Sequence, residues 1–146
     1  MIGIDPGQSG GAVLLDDIDA SVIDKVAFSK MTEQDIADVL CEWSGADDGR
    51  IFHHATIESV HSMPKQGVAS SFKFGRHFGF LIGVLTGRIP YRMVTPQTWQ
   101  KAMGCLSHGD KNVTKAAAQR LWPNEKWTHA IADAALIGEF GRRTQP

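Results

Sequence analysis

Apolar and polar residues alternate in short blocks at the start of the chain. Met1-Ile2-Gly3-Ile4 is an apolar run that delivers Asp5 to a strand end, and Pro6-Gly7 then forces a tight turn. Gly10 and Gly11 let the backbone bend back into a second apolar run, Ala12-Val13-Leu14-Leu15. The pattern predicts a hairpin over 2–5 and 11–16, with one carboxylate at the lip of a sheet and little bulk beside it. Asp16, Asp17 and Asp19 read as a solvated turn, and residues 21–28 as a third strand with Val22, Val26 and Phe28 on one side. The spacing of Ile36, Val39, Leu40 and Trp43 predicts an amphipathic helix over 33–44, which Thr32 and Asp35 cap.

The second half alternates strands with longer helical stretches. Residues 51–60 read as a strand carrying Glu58 at its end, with His53 and His54 as surface residues at the far end. A loop punctuated by Pro64 and Gly67 leads into a long helix over 68–87, whose apolar positions include Phe72, Phe74, Phe78, Leu81, Ile82 and Leu85. Gly75, Gly79 and Gly83 form a smooth strip on it, suited to close packing, while Lys73, Arg76 and His77 sit where they would face phosphates. Ile89 to Val94 reads as a strand, Thr95-Pro96 starts a short helix, and 103–110 is a loop containing glycine. Lys111 to Trp122 is a helix stopped by Pro123, residues 129–140 form a last helix, and the tail after it is expected to fray. Alternation without repeats makes this a mixed α/β protein.

A chain of 146 residues fits one domain with a real core, here 1–146. The two cysteines, Cys41 and Cys105, form no disulfide framework and suit a reducing, cytoplasmic setting. No apolar run reaches membrane-spanning length and the start has no export pattern, so no membrane partner is expected. The net charge of −1 conceals a division. Residues 1–58 hold 12 acids against 3 bases, while residues 59–146 hold 4 acids against 12 bases. Such asymmetry suggests a basic face for a polyanion such as nucleic acid.

Chemistry converges on a few carboxylates. His129 and Asp133 are four residues apart on the last helix and point from one face. Their surroundings, Ala130 to Leu136, are small or apolar, so Asp133 is a carboxylate among apolar neighbours that needs a cation. Asp5 and Glu58, at strand ends, would need the same one. Three carboxylates and an imidazole make a site for Mg²⁺ or Mn²⁺, which favour oxygen ligands. Two such ions about 3.5–4 Å apart can activate water and stabilise the leaving oxygen in phosphodiester hydrolysis.

Together, Asp5-Pro6-Gly7-Gln8-Ser9-Gly10, Ile57-Glu58-Ser59-Val60 and Ala132-Asp133-Ala134-Ala135-Leu136 resemble the RuvC family of Holliday junction resolvases, its phage-type members above all. The segments between agree in order: Met63 to Gly75, Val94-Thr95-Pro96-Gln97-Thr98-Trp99-Gln100-Lys101, Lys111, and Leu121-Trp122-Pro123. The resemblance covers essentially the whole chain. It implies a ribonuclease-H-like fold, a mixed sheet flanked by helices, in a homodimer that nicks four-way DNA junctions in symmetric pairs. It also implies a metal-dependent crossover junction endodeoxyribonuclease of DNA recombination and repair, from a bacterial or phage-infected cell, with no small-molecule cofactor. By position, Asp5, Glu58 and Asp133 resemble the family's metal-binding carboxylates. A fourth acid usually stands one helical turn before the last; here that turn offers His129, which brings no negative charge and would weaken ion affinity or shift it toward Mn²⁺. His61 lies where cellular members carry an aromatic that stacks on junction bases. Lys65, Lys73, Arg76, Lys101, Lys111 and Lys115 are candidate phosphate contacts, and Lys111 would also stabilise charge at the scissile phosphate.

Three other readings fit parts of the pattern. One keeps the fold and cuts RNA–DNA hybrids, flaps or branched DNA generally. Another binds junctions without cutting them, with His129 disabling the metal site. The third takes the opening turn as the phosphate loop of sugar-kinase or actin-like ATPases, but those need two such domains and a longer chain. The long glycine-bearing helix, around Phe78 and Leu81, is the expected dimer face.

Overall fold

The computed structural model describes residues 1–45, 53–59 and 67–145. Five strands form one sheet: β1 (Ile2–Asp5), β2 (Gly11–Leu15), β3 (Val22–Ala27), β4 (Ala55–Glu58) and β5 (Tyr91–Val94). Their order across the sheet is β3-β2-β1-β4-β5. The hairpin pairs are antiparallel, whereas β1–β4 and β4–β5 are parallel. Among the described residues five α-helices flank it: α1 (Glu33–Trp43), α2 (Val68–Arg88), α3 (Pro96–Ala102), α4 (Lys111–Leu121) and α5 (His129–Arg143).

Strand alternation divides the core between the two faces. Ile2, Ile4, Ala12, Leu14, Ala55 and Ile57 pack with α1 and α2, in a cluster with Ile36, Leu40, Trp43, Leu81 and Leu85. Val13 and Leu15 point the other way, into a cluster with Trp99, Ala117, Trp122, Trp127 and the apolar face of α5. Because both faces are covered, β2 reads as a continuous apolar run rather than an alternating one.

Glycine sets how closely α5 can lie on the sheet. A Cβ at Gly3 would fall 2.0 Å from the Ala134 carbonyl oxygen and 2.4 Å from the Gly138 nitrogen, so only a hydrogen fits there. At Gly141 a Cβ would meet Thr56 Oγ1 at 2.4 Å. The helix therefore rests directly on β1 and β4, backbone against backbone.

Several elements depart from the sequence expectations. A bulge between Leu14 and Leu15 changes the β3 register, so Val22 joins the α5-side cluster while Val26 and Phe28 pack on the other face. The predicted capping box is present: Asp35 N–H donates to Thr32 Oγ1 at 3.2 Å and Thr32 N–H to Asp35 Oδ2 at 2.8 Å. Within 51–60 the described strand is Ala55–Glu58; residues 51, 52 and 60 lie outside the described residues. His53 is half-buried near Asp17, and His54 is exposed. The expected tight packing at Gly75, Gly79 and Gly83 does not occur among the described residues, since a Cβ at any of them meets nothing within 4 Å there. The tail expected to fray is instead helical to Arg143. Arg142 and Arg143 there grip Glu139, which is only 3% exposed, with Nε–Oε distances of 2.7 Å each. Burial pushes the Glu139 carboxyl up, but the two guanidinium groups more than offset it and hold it below the usual range.

Gly3→Ala is expected to destabilise the protein by at least about 3 kcal/mol, because the clash is with backbone that cannot rotate away. Gly87→Ala, on the open side of α2, is expected to stabilise it by about 0.5–1 kcal/mol. Urea denaturation midpoints of the two variants check both signs.

Candidate active site

Parallel pairing brings the first two carboxylates side by side. Ile4 is level with Ile57, so the next residues along, Asp5 and Glu58, end adjacent strands at the same edge. Gly3 and Thr56 face α5, and by the two-residue period so do Asp5 and Glu58. Ala134 and Gly138 of α5 lie over Gly3, and the Ala130 carbonyl lies near Gly11, so α5 begins above this strand edge. Asp133, half-buried in its second turn, therefore joins Asp5 and Glu58.

The three line one cleft of about 920 Å³ together with Gln97, Gln100, Lys101, His108, Lys111 and Thr114. Asp5 is held well above the usual carboxylate range, by burial first and then by the negative charges of Glu58 and Asp133, with Lys111 opposing. Burial raises Glu58 as well, against a hydrogen bond from Trp99, with Asp133 adding to the rise. Asp133 is likewise raised by burial, which Thr114, Lys111 and His129 partly offset. Lys111 is the one neighbour that draws all three down.

Two groups to which the sequence pattern gave no role stand beside these acids, and one of them orients Glu58. The indole N–H of Trp99, on α3, donates to Glu58 Oε2 at 2.6 Å. Trp99 is fully buried, one turn after the Thr95 cap and Pro96 that start α3, so its direction is fixed. The Thr114 hydroxyl lies against Asp133 but donates to the Lys111 carbonyl at 3.1 Å, and Asp133 Oδ1 is buried without a hydrogen-bond partner. The Cys105 thiol, buried nearby, is pushed up to about 11 by burial and by Asp133, and so stays protonated.

His129 adjoins the cluster. Its Nδ1 is 3.1 Å from the Lys111 carbonyl oxygen, which can only accept, so Nδ1 carries the proton and Nε2 keeps a lone pair when the ring is neutral. A backbone carbonyl holding one ring nitrogen while the other stays free is how metal-ligating histidines are usually oriented. The donor set fits a hard divalent cation: coupled carboxylates that burial makes costly to ionise, and a buried oxygen lacking a partner. Among the described residues no three His, Cys, Asp or Glu side chains already stand gathered to hold an ion, so uptake would require the carboxylates to turn toward it.

The predicted phosphate contacts separate. Lys101 and Lys111 line the cleft. Lys115 is half-buried farther along α4. Lys73 and Arg76 are exposed on α2, whose buried side belongs to the opposite face of the sheet, and Arg76 Nη2 lies 2.9 Å from Glu33 Oε1. His77, placed by sequence among phosphate-facing residues, is only 6% exposed and lies in the interior. His61 and Lys65 lie outside the described residues.

Without divalent ions, Asp5→Asn is expected to raise stability at neutral pH. A carboxyl whose folded pKa lies above its unfolded value costs stability once ionised, on the order of 1 kcal/mol per pKa unit. That cost fades as pH falls through the raised folded value toward the ordinary carboxylate range, where mutant and wild type should converge. Thermal melts of both proteins across that window, with and without Mg²⁺, check the sign; added Mg²⁺ should favour wild type.

No protein-family model matches the sequence, and no curated protein sequence matches it. Solved structures match the fold. RuvC of Thermus thermophilus in complex with a Holliday junction substrate gives a TM-score of 0.64 at 17% identity, over 98% of this chain and 95% of that one. A second Thermus thermophilus RuvC structure gives 0.63 at 18% identity, over 98% and 96%. The yeast mitochondrial Holliday junction resolvase gives 0.55 at 13% identity, over 97% of this chain and 78% of that one. At such identities the likeness is one of architecture: the mixed five-stranded sheet with helices on both faces is the ribonuclease-H-like fold that RuvC has.

Proposed function

We propose that this protein is a divalent-metal-dependent endonuclease that resolves four-way DNA junctions by paired symmetric nicks. The observation that carries the reading is the convergence of Asp5, Glu58 and Asp133, each held above its usual pKa, in a cleft that also holds Lys101 and Lys111. Uncompensated carboxylates beside lysines suit a substrate that is itself anionic and arrives with cations. The fold shared with RuvC and the yeast mitochondrial resolvase supports the junction as that substrate.

In this reading Asp5, Glu58 and Asp133 hold Mg²⁺ or Mn²⁺, with His129 Nε2 as a fourth donor. Bound there, a pair of such ions would supply Lewis acidity at the attacking and leaving oxygens of the phosphodiester. Trp99 keeps Glu58 turned toward the cleft through its indole hydrogen bond. Lys111 attracts the scissile phosphate and stabilises charge growing on it. Lys101 positions the DNA backbone and does not read bases, whereas Lys73 and Arg76 stand on α2 away from this cleft.

A symmetric substrate calls for a symmetric enzyme, and a homodimer would supply two cuts related by a twofold axis. Val68 and Phe72 are 88% and 73% exposed on α2, and Gly75, Gly79 and Gly83 continue the same stripe of that helix. We assign this stripe as the dimer face. Leu81 does not belong to it, because Leu81 is fully buried on the opposite side of α2.

Cleavage of a synthetic four-way junction beside linear duplex of the same sequence, in Mg²⁺ or Mn²⁺, tests the proposal. Wild type should nick the junction symmetrically and leave the duplex intact. Asp5→Asn should lose cleavage by a factor of about 10³ or more while still binding the junction. Equal cutting of both substrates would replace the proposal with a general nuclease, and tight junction binding without cleavage would replace it with a binding protein.

A further inference from the structure

His77 reaches the turn after Asp5 from the other side of the sheet. Its Nδ1 accepts a hydrogen bond from the Gly7 N–H at 3.2 Å, a buried contact across 70 residues of sequence. Gly7 itself has φ +115°, which an L side chain rarely adopts, and a Cβ there would lie 3.3 Å from the Phe74 ring. Phe74 and His77 are three residues apart on α2, so one turn of that helix grips Gly7. From the opposite side Gly10 closes the turn: its N–H donates to the Gly7 carbonyl at 2.9 Å, and a Cβ on it would strike the Asp5 carbonyl oxygen at 2.0 Å. Pro6 fixes its own φ and has no N–H to offer. The Gly7 amide is thus the donor through which α2 holds this turn.

The contact also fixes the imidazole. Since Nδ1 accepts, Nε2 carries the proton, and Nε2 is buried without a hydrogen-bond partner. The ring lies between Phe28 and Phe80, at centroid distances of 5.5 and 6.0 Å. A phenylalanine would fill the same space and leave no buried N–H unpaired on the ring, so packing alone does not account for histidine here. An acceptor for Gly7 does. Burial holds the imidazole below its ordinary pKa, against the opposing charge of Glu33, which keeps the ring in its accepting neutral form.

We propose that His77 is a positioning residue for the catalytic centre: by accepting the Gly7 N–H it holds the Asp5-Pro6-Gly7 turn, and with it the Asp5 carboxylate, in the geometry that takes up the divalent ion. The proposal rests on the metal-dependent reading of the carboxylate cluster. It separates the acceptor function of the ring from its bulk, and two substitutions divide these. His77→Phe keeps an aromatic ring between Phe28 and Phe80 but removes the acceptor. His77→Asn places Oδ1 on the same branch atom as Nδ1, retaining the acceptor and losing the bulk.

The test compares wild type, His77→Phe and His77→Asn in thermal stability, Mn²⁺ affinity read from the ion-dependent rise in Tm, Gly7 amide exchange, and kcat and KM for junction cleavage. The expected order is opposite for stability and for function. His77→Phe should melt near wild type, lose protection at the Gly7 amide, bind Mn²⁺ more weakly and lose kcat by about 10–100-fold with KM for DNA unchanged. His77→Asn should melt lower yet keep Gly7 protection, and should stay nearer wild type in Mn²⁺ affinity and kcat. The proposal is overturned if His77→Phe keeps Mn²⁺ affinity within about twofold, or if affinity follows Tm across the three proteins. Should wild type take up Mn²⁺ and cut no junction, the resolvase reading fails while the order of Mn²⁺ affinities still decides the role of His77. Should wild type take up no divalent ion, both fail together.

Discussion

The contact on which the rest depends is the backbone-to-backbone seat of α5 on β1. Helices usually stand off a sheet by the length of their side chains. Here Gly3, Gly138 and Gly141 remove those side chains along the line of contact, and the helix settles onto the strands. The consequence is chemical as much as structural. β1 and β4 deliver Asp5 and Glu58 to one edge through their parallel register, and a close-lying α5 carries Asp133 to the same edge. A bulkier residue at Gly3 would lift α5 and separate Asp133 from the strand-end acids. The glycine and the carboxylate in the first strand are two parts of one requirement.

That arrangement places like charges together in partial burial, which is unfavourable by itself. Each acid raises the cost of ionising another, and Lys111 is the main nearby cation among the described residues that relieves all three. The chain orients Glu58 with a neutral donor, the Trp99 indole, rather than pairing it off with arginine. Arginine pairing is available to this sequence, as Glu139 shows: that carboxylate is buried more deeply, yet two guanidinium groups hold it below its usual range. The contrast between a satisfied acid, Glu139, and an unsatisfied one six residues before it on α5, Asp133, distinguishes a structural carboxylate from one kept available for a ligand.

Much of this was legible in the sequence. The hairpin, the capped α1, the Thr95-Pro96 start of α3 and the three acids follow from local rules of apolar period, cap and turn. What escaped is what depends on partners distant in sequence. A helical histidine beside Lys73 and Arg76 reads as basic surface until α2 is docked, when His77 is found under the Gly7 turn. Trp99 has no role assigned to it in the sequence, and its indole N–H acquires meaning only because Glu58 ends β4 beside it. Gly75, Gly79 and Gly83 show the reverse error. A glycine strip looks like a packing surface, yet the glycines that seat α5 on the sheet are Gly3 on β1 and Gly138 and Gly141 on α5, to which the sequence reading gave no packing role. The bulge in β3 moved Val22 to the other face for the same reason: period-two reading assumes an unbroken ladder.

The charge division between the two halves of the chain has to be reconsidered in the folded protein. It suggested a basic face, but many of the bases are committed internally. Arg142 and Arg143 serve Glu139, Arg76 meets Glu33, and Lys25 pairs with Glu125 while lying over the Trp127 ring. Arg92 donates to the Gly141 carbonyl at 2.9 Å and to the Thr144 carbonyl at 3.2 Å, closing the C-terminal end of α5. Two of these pairs, Arg76 with Glu33 and Lys25 with Glu125, join the acid-rich and base-rich halves across the fold. Among the described residues, Lys101 and Lys111 are the lysines that line the carboxylate cleft. Under the proposed function these two lysines would draw a phosphate backbone to the carboxylate cleft, so placement of a few lysines matters more than net charge.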